Sequence, residues 1–197
     1  VFSFCQNKII TTGEGGAIVT GSKRIYERLK LIRSHGRPDT NSYFSSSWKE
    51  DYITLGYNFR ISTLQAALGI SQLKKISKII RLRRGNAHYL TKRLGREDGR
   101  IMTPIQQKDN FNVYQWYTIR VRKYRDELKK YLSSRGIMTK VYFQPVHLTT
   151  FYRDLLKKRY SLPITERLCA EVLTLPMYPA LKKKEIDYMA EEAGNFF

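Results

Sequence analysis

The sequence has 197 residues, of which 42% are hydrophobic, so it is long and apolar enough to build the core of one ordinary domain or two small ones. It contains only two cysteines and no Cys or His cluster with metal-ligand spacing, which argues against a disulfide framework and predicts no metal site. The sequence shows no leader pattern, and no apolar stretch approaches the roughly 18 residues of a membrane helix. We therefore expect a cytoplasmic protein without a membrane partner.

The charge is strongly unbalanced, because 36 Lys and Arg residues against 17 Asp and Glu residues give a formal net charge of +19. Such an excess brings a nucleic-acid partner into consideration. The basic residues are spread in short clusters, for example at 74–75, 81–84 and 182–184, as on the solvated faces of helices. We therefore expect no nucleic-acid partner, and an anionic small-molecule substrate is the second interpretation.

The opening segment, VFSF at 1–4, is apolar and starts with Val1 rather than Met. A natural terminus is usually more polar and frays. This segment leads us to expect a sequence that is truncated at its N-terminus.

The first half of the sequence predicts one short strand and two helices. Residues 17–20 are β-rich and lie between glycine turns, which predicts a strand. Between residues 22 and 36 the apolar residues recur at helical spacing, which predicts a helix with Ser22 as its N-cap and Gly36 as its stop. Residues 37–58 read as a long ordered loop, and loops of this length are usually functional. A long helix is predicted from Ser62 to about residue 94. It contains Gly69 and Gly85, each of which would either bend the helix or admit a close neighbour.

The second half alternates between strands and helices. Two segments predict strands, 113–121 and 139–143, because they are rich in aromatic and β-branched residues. Helices are predicted at 125–134, where Gly136 provides the stop, and at 149–158, 163–173 and 183–196. This mixture indicates an α/β or α+β fold, and the sequence shows no internal repeat.

The densest chemical signal surrounds Lys8, in the string SFCQNK at 3–8 followed by TTGEGG at 11–16. A lysine amine can form a Schiff base with an aldehyde cofactor, and nearby hydroxyls and glycine amides can bind a phosphate. On chemistry alone, an ordinary surface lysine before a glycine-rich turn is the simpler interpretation.

Four ordered blocks of sequence resemble one known family. They are the Lys8 segment, GYNFR at 56–60 with LQAALG at 64–69, TKVYF with PVHL between 139 and 148, and the segment from LP at 162–163 to LPMYP at 175–179. Together they resemble the C-terminal half of the DegT/DnrJ/EryC1/StrS family of pyridoxal-phosphate-dependent sugar aminotransferases. The resemblance covers essentially the whole chain.

The resemblance implies an α/β fragment of a fold-type I aminotransferase. Residues 1–76 would be the C-terminal part of the large pyridoxal-phosphate-binding domain, and residues 77–197 the small C-terminal α/β domain. The complete enzyme would transfer an amino group from an amino acid, with glutamate the expected donor, to a keto-sugar linked to a nucleotide diphosphate. It would act as a homodimer with a shared active site.

The resemblance also assigns residue roles. Lys8 would hold the cofactor and then move the proton between the substrate carbon and the cofactor, which makes it the catalytic residue. Ser3 would bind the cofactor phosphate. Asn58 would reach the phosphate of the cofactor in the neighbouring subunit.

Three further residues are candidates for substrate binding. Arg60 is equally consistent with a structural role, since an arginine before a helix can cap it or pair with a carboxylate. Tyr142 and His147 lie in a block that resembles a substrate-facing loop, although a lone histidine is more often structural. The other two histidines, His35 and His88, are predicted on helix surfaces.

Competing interpretations are a non-catalytic binding or regulatory relative and a sugar dehydratase of the same family. Lys8 argues against both, because the dehydratases typically carry histidine at that position. In the family, the N-terminal half supplies the phosphate loop, the ring that stacks on the cofactor and the acidic partner of the pyridinium nitrogen. We therefore expect the isolated fragment to be inactive.

Overall fold

A computed structural model of the chain describes residues 1–38, 51–95, 99–157 and 160–197. The chain divides into two compact units, Val1–Ile76 and Ser77–Phe197. Most of the predicted loop at 37–58 lies outside the described residues, as does residue 158 at the end of one predicted helix.

The first unit begins with a two-stranded antiparallel sheet. β1 (Phe2–Ser3) pairs with β2 (Gly16–Ala17). The predicted strand at 17–20 is therefore wrong in its extent, and β1 was not predicted. Because β1 offers only two residues for pairing, only Ala17 of the predicted strand belongs to the ladder.

The first helix, α1 (Lys23–Arg33), has the predicted ends. The side chain of Ser22 accepts a hydrogen bond from the backbone N–H of Ile25, which satisfies one of the free donors of the first turn. After the helix, Gly36 has φ +75° and its N–H donates to the carbonyl of Leu31 at 2.8 Å.

The predicted single helix at 62–94 is two helices, α2 (Thr63–Leu73) and α3 (Ile76–Leu94). The break lies at Lys74 and Lys75, not at Gly69 or Gly85. There the chain tightens, because the N–H of Lys75 donates to the carbonyl only three residues back, in Gln72, at 3.0 Å. Ser62 starts α2 as predicted and forms a reciprocal capping box with Gln65.

The second unit contains a three-stranded antiparallel sheet in the order β3 (Ile101–Met102), β4 (Tyr117–Val121) and β5 (Val172–Leu175). Helix α4 (Arg125–Ser134) follows β4, and a short 3₁₀ helix spans Val146–Leu148. Helices α5 (Thr150–Leu156), α6 (Pro163–Glu171) and α7 (Lys183–Asn195) complete the unit.

One hydrophobic core holds the second unit together. Alternate residues of β4 point into it, and α3, α4, β5 and α7 supply most of the remaining side chains. The connecting segments add Tyr114, Ile137, Met177 and Leu181. Its largest fully buried members are Tyr117, Leu90, Ile119, Leu128, Leu132, Leu173, Ile186 and Val121.

Two strand predictions in this unit need correction. Residues 139–143 do not form a strand, because only Lys140 pairs with a partner, exchanging two backbone hydrogen bonds with Thr174. The strand predicted at 113–121 starts only at Tyr117. The helix predicted at 163–173 ends at Glu171, since the following apolar residues pair with β4 as β5.

The first unit has little core of its own. Among its described residues, Ile10 is the one large hydrophobic side chain that is buried, whereas Val19, Leu55 and Leu64 are at least three-quarters exposed. Within the described parts of the chain, no helix has the length and apolar character needed to cross a membrane. The same residues contain no group of His, Cys, Asp or Glu that could hold a metal ion.

Candidate functional site

Lys8 lies in a closed loop between β1 and β2. The N–H of Phe4 donates to the carbonyl of Gly15 at 2.8 Å, and the N–H of Thr12 donates to the carbonyl of Phe4 at 2.9 Å. The hydroxyl of Thr11 donates to the same Phe4 carbonyl at 3.0 Å. These bonds fix both ends of the segment that carries Lys8.

The glycine-rich turn that follows Lys8 is held by hydroxyl groups. Thr12 donates from Oγ1 to the carbonyl of Glu14 at 2.7 Å, and the N–H of Gly13 donates to Thr11 Oγ1 at 2.9 Å. Gly13 has φ +81°, in the left-handed region that favours glycine. Gly13 is therefore a conformational requirement of the turn.

Around Lys8 the loop is tight. The Lys8 N–H donates to the carbonyl of Cys5 at 3.1 Å, and its side chain is half-buried. The Cys5 thiol donates to Asn7 Oδ1 at 2.9 Å, and the Cys5 N–H approaches Ser3 Oγ at 3.5 Å. Ser3 itself is exposed in β1. Ser3 and Lys8 thus belong to one locally closed segment.

Helix α2 supports the turn after Lys8 at two points. The side-chain amide of Gln65 donates to the carbonyl of Glu14 at 3.0 Å, 51 residues away in sequence. A Cβ at Gly69 would lie 3.1 Å from Thr12 Cγ2, so glycine there admits the close neighbour that the sequence suggested. The LQAALG block at 64–69 therefore supports the Lys8 turn.

The segment that contains Asn58 pairs with the end of α1. The N–H of Tyr57 donates to the carbonyl of Ile32 at 2.7 Å, the N–H of Phe59 donates to that of Arg33 at 3.0 Å, and Asn58 forms an antiparallel bridge with Ser34. The Asn58 side chain is exposed. Backbone pairing therefore sets its position.

This pairing requires a very close backbone approach at Gly56. A Cβ added there would lie 2.0 Å from the backbone nitrogen of Gly36, and one added at Gly36 would lie 1.7 Å from the carbonyl oxygen of Thr54. Neither position has room for a side chain. The first residue of the GYNFR block is thus dictated by packing.

Arg60 is exposed and contacts a histidine that the sequence placed on a helix surface. Its Nη2 lies 3.4 Å from Nε2 of His35. His35 follows α1 rather than lying on it, has φ +62° and is half-buried, so the helix-surface prediction is wrong for this residue. The other histidine predicted on a helix surface, His88, is exposed on α3 as expected.

Tyr142 lies in the second unit and stacks on Trp116, with ring centroids 4.3 Å apart and planes 7° from parallel. The ammonium group of Lys140 lies 5.1 Å from the centroid of the Tyr142 ring. Phe143 meets the Trp116 ring edge-on at 5.8 Å. Tyr142 is therefore fixed by neighbouring aromatic groups.

His147 is bound through one ring nitrogen. Its Nε2 lies 3.0 Å from Glu166 Oε1, and its side chain is only 10% exposed. The bond from His147, followed by one from the N–H of Leu162, holds the pKa of Glu166 below its usual value. Because the carboxylate accepts, Nε2 donates, and a substrate contact would have to use Nδ1.

The six predicted site residues fall into two groups. Ser3, Lys8, Asn58 and Arg60 lie in the first unit, and the other two, Tyr142 and His147, lie in the second. No role in the site was predicted from the sequence for Gln65, His35 or Trp116. The capping-box spacing of Ser62 and Gln65 identifies a helix start but not the distant acceptor of the Gln65 amide.

Comparison with curated proteins gives relatives that match essentially the whole chain. The chain is 34% identical to a "Pleiotropic regulatory protein" of Geobacillus stearothermophilus and 31% identical to a "GDP-perosamine synthase" of Escherichia coli O157:H7, covering all of this chain and 51% of each relative. The chain thus spans about half the length of the curated relatives it matches.

Solved structures agree in fold. PseC of Helicobacter pylori, an aminotransferase involved in the biosynthesis of pseudoaminic acid, superposes with a TM-score of 0.89 at 26% identity, over all of this chain and 52% of that one. DesV of S. venezuelae superposes with a TM-score of 0.86 at 29% identity, over 99% of this chain and 50% of that one. The fold is therefore an α/β fragment of a fold-type I aminotransferase. Because the family model matches residues 1–193, the chain belongs to the DegT/DnrJ/EryC1/StrS aminotransferase family.

Proposed function

We propose that this chain forms the C-terminal half of a pyridoxal-phosphate-dependent aminotransferase. The reaction would move an amino group from an amino acid, with glutamate the expected donor, to a keto-sugar linked to a nucleotide diphosphate. Residues 1–76 would belong to the large cofactor domain and residues 77–197 to the small domain. We call this chain together with the N-terminal half that its relatives carry "the complete enzyme".

The observation that carries the proposal is the closed loop around Lys8. Its amine lies in a segment whose two ends are fixed by backbone hydrogen bonds to Phe4, and α2 supports the following turn through Gln65. A lysine whose backbone is held in this way can direct its amine at one carbonyl carbon, which is the geometric requirement of covalent catalysis by lysine. Membership of an aminotransferase family also supports a catalytic lysine.

The side chains of the first unit fit the proposed cofactor by their chemistry. Pyridoxal phosphate offers an aldehyde and a phosphate, and Lys8 supplies an amine while Ser3 and Asn58 supply hydrogen-bond donors. Arg60 adds a guanidinium for a second anionic group, such as a diphosphate. When bound, the cofactor supplies an electron sink for the carbon that loses its proton.

The residues of this chain would then perform separate tasks. Lys8 would bind the cofactor and carry the proton at its Nζ atom between successive steps. Ser3 would orient the phosphate, and Asn58 would contribute across the interface of a homodimer. In the second unit, Tyr142 and His147 would contact the substrate, with Trp116 supporting the Tyr142 ring.

One relative supports a second candidate function. The protein of Geobacillus stearothermophilus at 34% identity is described as a regulatory protein, so a binding or regulatory role that keeps the aminotransferase fold is the alternative. The two functions differ in turnover. A regulatory protein would bind the cofactor or a sugar nucleotide without consuming an amino donor.

The test is to locate the cofactor chemically. The complete enzyme is loaded with pyridoxal phosphate, reduced with borohydride and mapped by peptide mass spectrometry, and we expect the pyridoxyl group on Lys8. Lys8→Arg should abolish the label, whereas Lys23→Arg, at an exposed lysine of α1, should not. A label on another lysine, together with activity in Lys8→Ala, would contradict the assignment. Labelling without glutamate-dependent turnover would favour the regulatory alternative.

A further inference from the structure

His35 occupies a backbone conformation that is uncommon for a residue with a side chain. Its φ of +62° lies in the left-handed region, which few non-glycine residues adopt. Gly36 next to it is also left-handed, with φ +75°, but glycine adopts that region freely. Unfavourable backbone of this kind persists where surrounding contacts determine it, and it is often found at functional sites.

Two contacts of His35 reach the GYNFR block, one on each side of Asn58. Its N–H donates to the carbonyl of Tyr57 at 3.0 Å, and its ring nitrogen Nε2 lies 3.4 Å from Nη2 of Arg60. Asn58, which lies between these two residues in the sequence, is bridged to Ser34. A single histidine therefore spans the turn that presents both Asn58 and Arg60.

The chemistry of the pair assigns the roles of the two groups in this contact. A guanidinium has hydrogen-bond donors and no acceptor, so in this contact Nε2 of His35 must accept. A ring that accepts on Nε2 carries its proton on Nδ1. This is the reverse of His147, where Nε2 donates to a carboxylate.

We propose that His35 is the positioning residue of Arg60: as a neutral imidazole protonated on Nδ1, it accepts from the guanidinium and directs it, beside Asn58, toward an anionic group of the nucleotide-sugar substrate. The inference rests on the proposed function, in which Arg60 binds substrate. His35 itself touches no reacting atom. Its effect is to restrict the many rotamers of an exposed arginine to the one that faces the substrate.

The first test asks whether the hydrogen-bond acceptor on the His35 side chain matters, independently of the left-handed backbone at that position. His35→Gln keeps an acceptor near the position of Nε2, and His35→Leu removes it, while both retain a side chain at the same left-handed position. In the complete enzyme we expect His35→Leu to raise KM for the nucleotide sugar about fivefold with little change in kcat, as for loss of one typical hydrogen bond. His35→Gln should recover most of the affinity. Equal KM values for the two variants would overturn the proposal.

The second test asks whether His35 acts through Arg60. In an Arg60→Ala background, His35→Leu and His35→Gln should have the same KM, since the group they position is gone. Additive effects would show that His35 acts by another route. If Arg60→Ala alone leaves KM unchanged, Arg60 does not bind substrate and the inference fails, while labelling of Lys8 still tests the proposed function by itself.

A third measurement does not depend on activity. Nitrogen-15 NMR of histidine-labelled complete enzyme at about pH 8, where an ordinary imidazole is neutral, should show His35 protonated on Nδ1. The signal of His35 is assigned by its loss in the His35→Gln variant. As a control for the kinetic tests, His88→Gln, at an exposed histidine of α3, should leave KM unchanged. A His35 ring protonated on Nε2 would contradict the contact with Arg60. If both substitutions prevent folding, His35→Gly relieves the backbone and serves as the variant without an acceptor.

Discussion

The side-chain amide of Gln65 donates to the backbone carbonyl of Glu14 at 3.0 Å, which ties the first turn of α2 to the glycine-rich turn after Lys8. The same side chain caps its own helix, because Gln65 Oε1 accepts from the N–H of Ser62 at 3.2 Å. One residue thus links the two sequence blocks that contain the cofactor-binding candidates. Its two contacts can be separated by substitution.

We predict that Gln65→Glu weakens cofactor binding without unfolding α2. Glutamate keeps the capping acceptor and loses the donor to Glu14, whereas Gln65→Ala loses both. The lost bond corresponds to about 1 kcal/mol, or roughly a fivefold rise in the cofactor dissociation constant of the complete enzyme. Absorbance titration measures the constant, and circular dichroism reports the helix. Unchanged cofactor affinity in both variants would show that α2 does not position the Lys8 turn.

A second prediction concerns Gly56. Gly56→Ala places a Cβ 2.0 Å from the backbone nitrogen of Gly36, so the segment of Asn58 must move away from α1. We expect a loss of about 1–3 kcal/mol in the free energy of unfolding, as for overpacking, together with weaker cofactor binding. Gly21→Ala is the matched control, since a Cβ there meets no atom within 4 Å and φ is not positive. Equal stability of the two variants in urea denaturation would refute the close approach.

The third prediction is that Asn58 acts on the partner's site. Lys8→Ala and Asn58→Ala should each inactivate the complete enzyme, but a hybrid dimer of the two has one site with both residues intact. Random exchange of subunits should restore about a quarter of the wild-type activity. As a control, the double variant mixed with wild type gives hybrid dimers without any intact site. No recovery from verified hybrid dimers would place Asn58 in the site of its own subunit.

Local sequence signals predicted the helices with clear ends. Ser22 and Ser62 start α1 and α2, and α4 ends before Gly136, which has φ +75°. These signals lie within a few residues of the structure they determine, so they can be read without knowing the rest of the fold.

The strands were predicted less well because each depends on a distant partner. Residues 172 and 173 were predicted as the end of a helix, and only pairing with β4 makes 172–175 a strand. Residues 139–143 have strand-like composition, but only Lys140 finds a partner, in Thr174. The site shows the same limit. Lys8 and Asn58 were identified from motifs, whereas the contacts of His35 and Gln65 join residues 25 and 51 positions apart and could not be read from the sequence.

The fourth prediction concerns acid stability. Arg120 donates from Nε to Glu171 Oε2 at 3.1 Å. The hydrogen bonds from Arg120 lower the pKa of Glu171, and they outweigh burial, which by itself would raise it. A carboxyl group whose pKa is lower in the folded state contributes stability above its unfolded pKa of about 4.3, and this stability is lost as the pH falls through the folded value.

Glu171→Gln should therefore destabilise the second unit at neutral pH, and the difference from wild type should shrink toward pH values of about 3. Urea denaturation at several pH values measures it. Asp109→Asn, at an exposed turn, is the control and should show a smaller difference at neutral pH. A difference that stays constant with pH would mean that the ion pair does not contribute to stability.

The last prediction is that the chain alone binds pyridoxal phosphate weakly, does not transaminate and self-associates. Large apolar side chains of the first unit are exposed, including Val19 at 76% and Leu64 at 85%, whereas the core lies in the second unit. Exposed apolar surface of this extent favours association, and a lysine gains specificity only when phosphate, ring and pyridinium nitrogen are all held. Residues 77–197 should therefore sediment as a monomer, and residues 1–197 as larger species that disappear when the N-terminal half of a relative is added. Cofactor absorbance and glutamate-dependent turnover are followed on the same samples. Tight cofactor binding and turnover by residues 1–197 alone would show that the chain needs no second half.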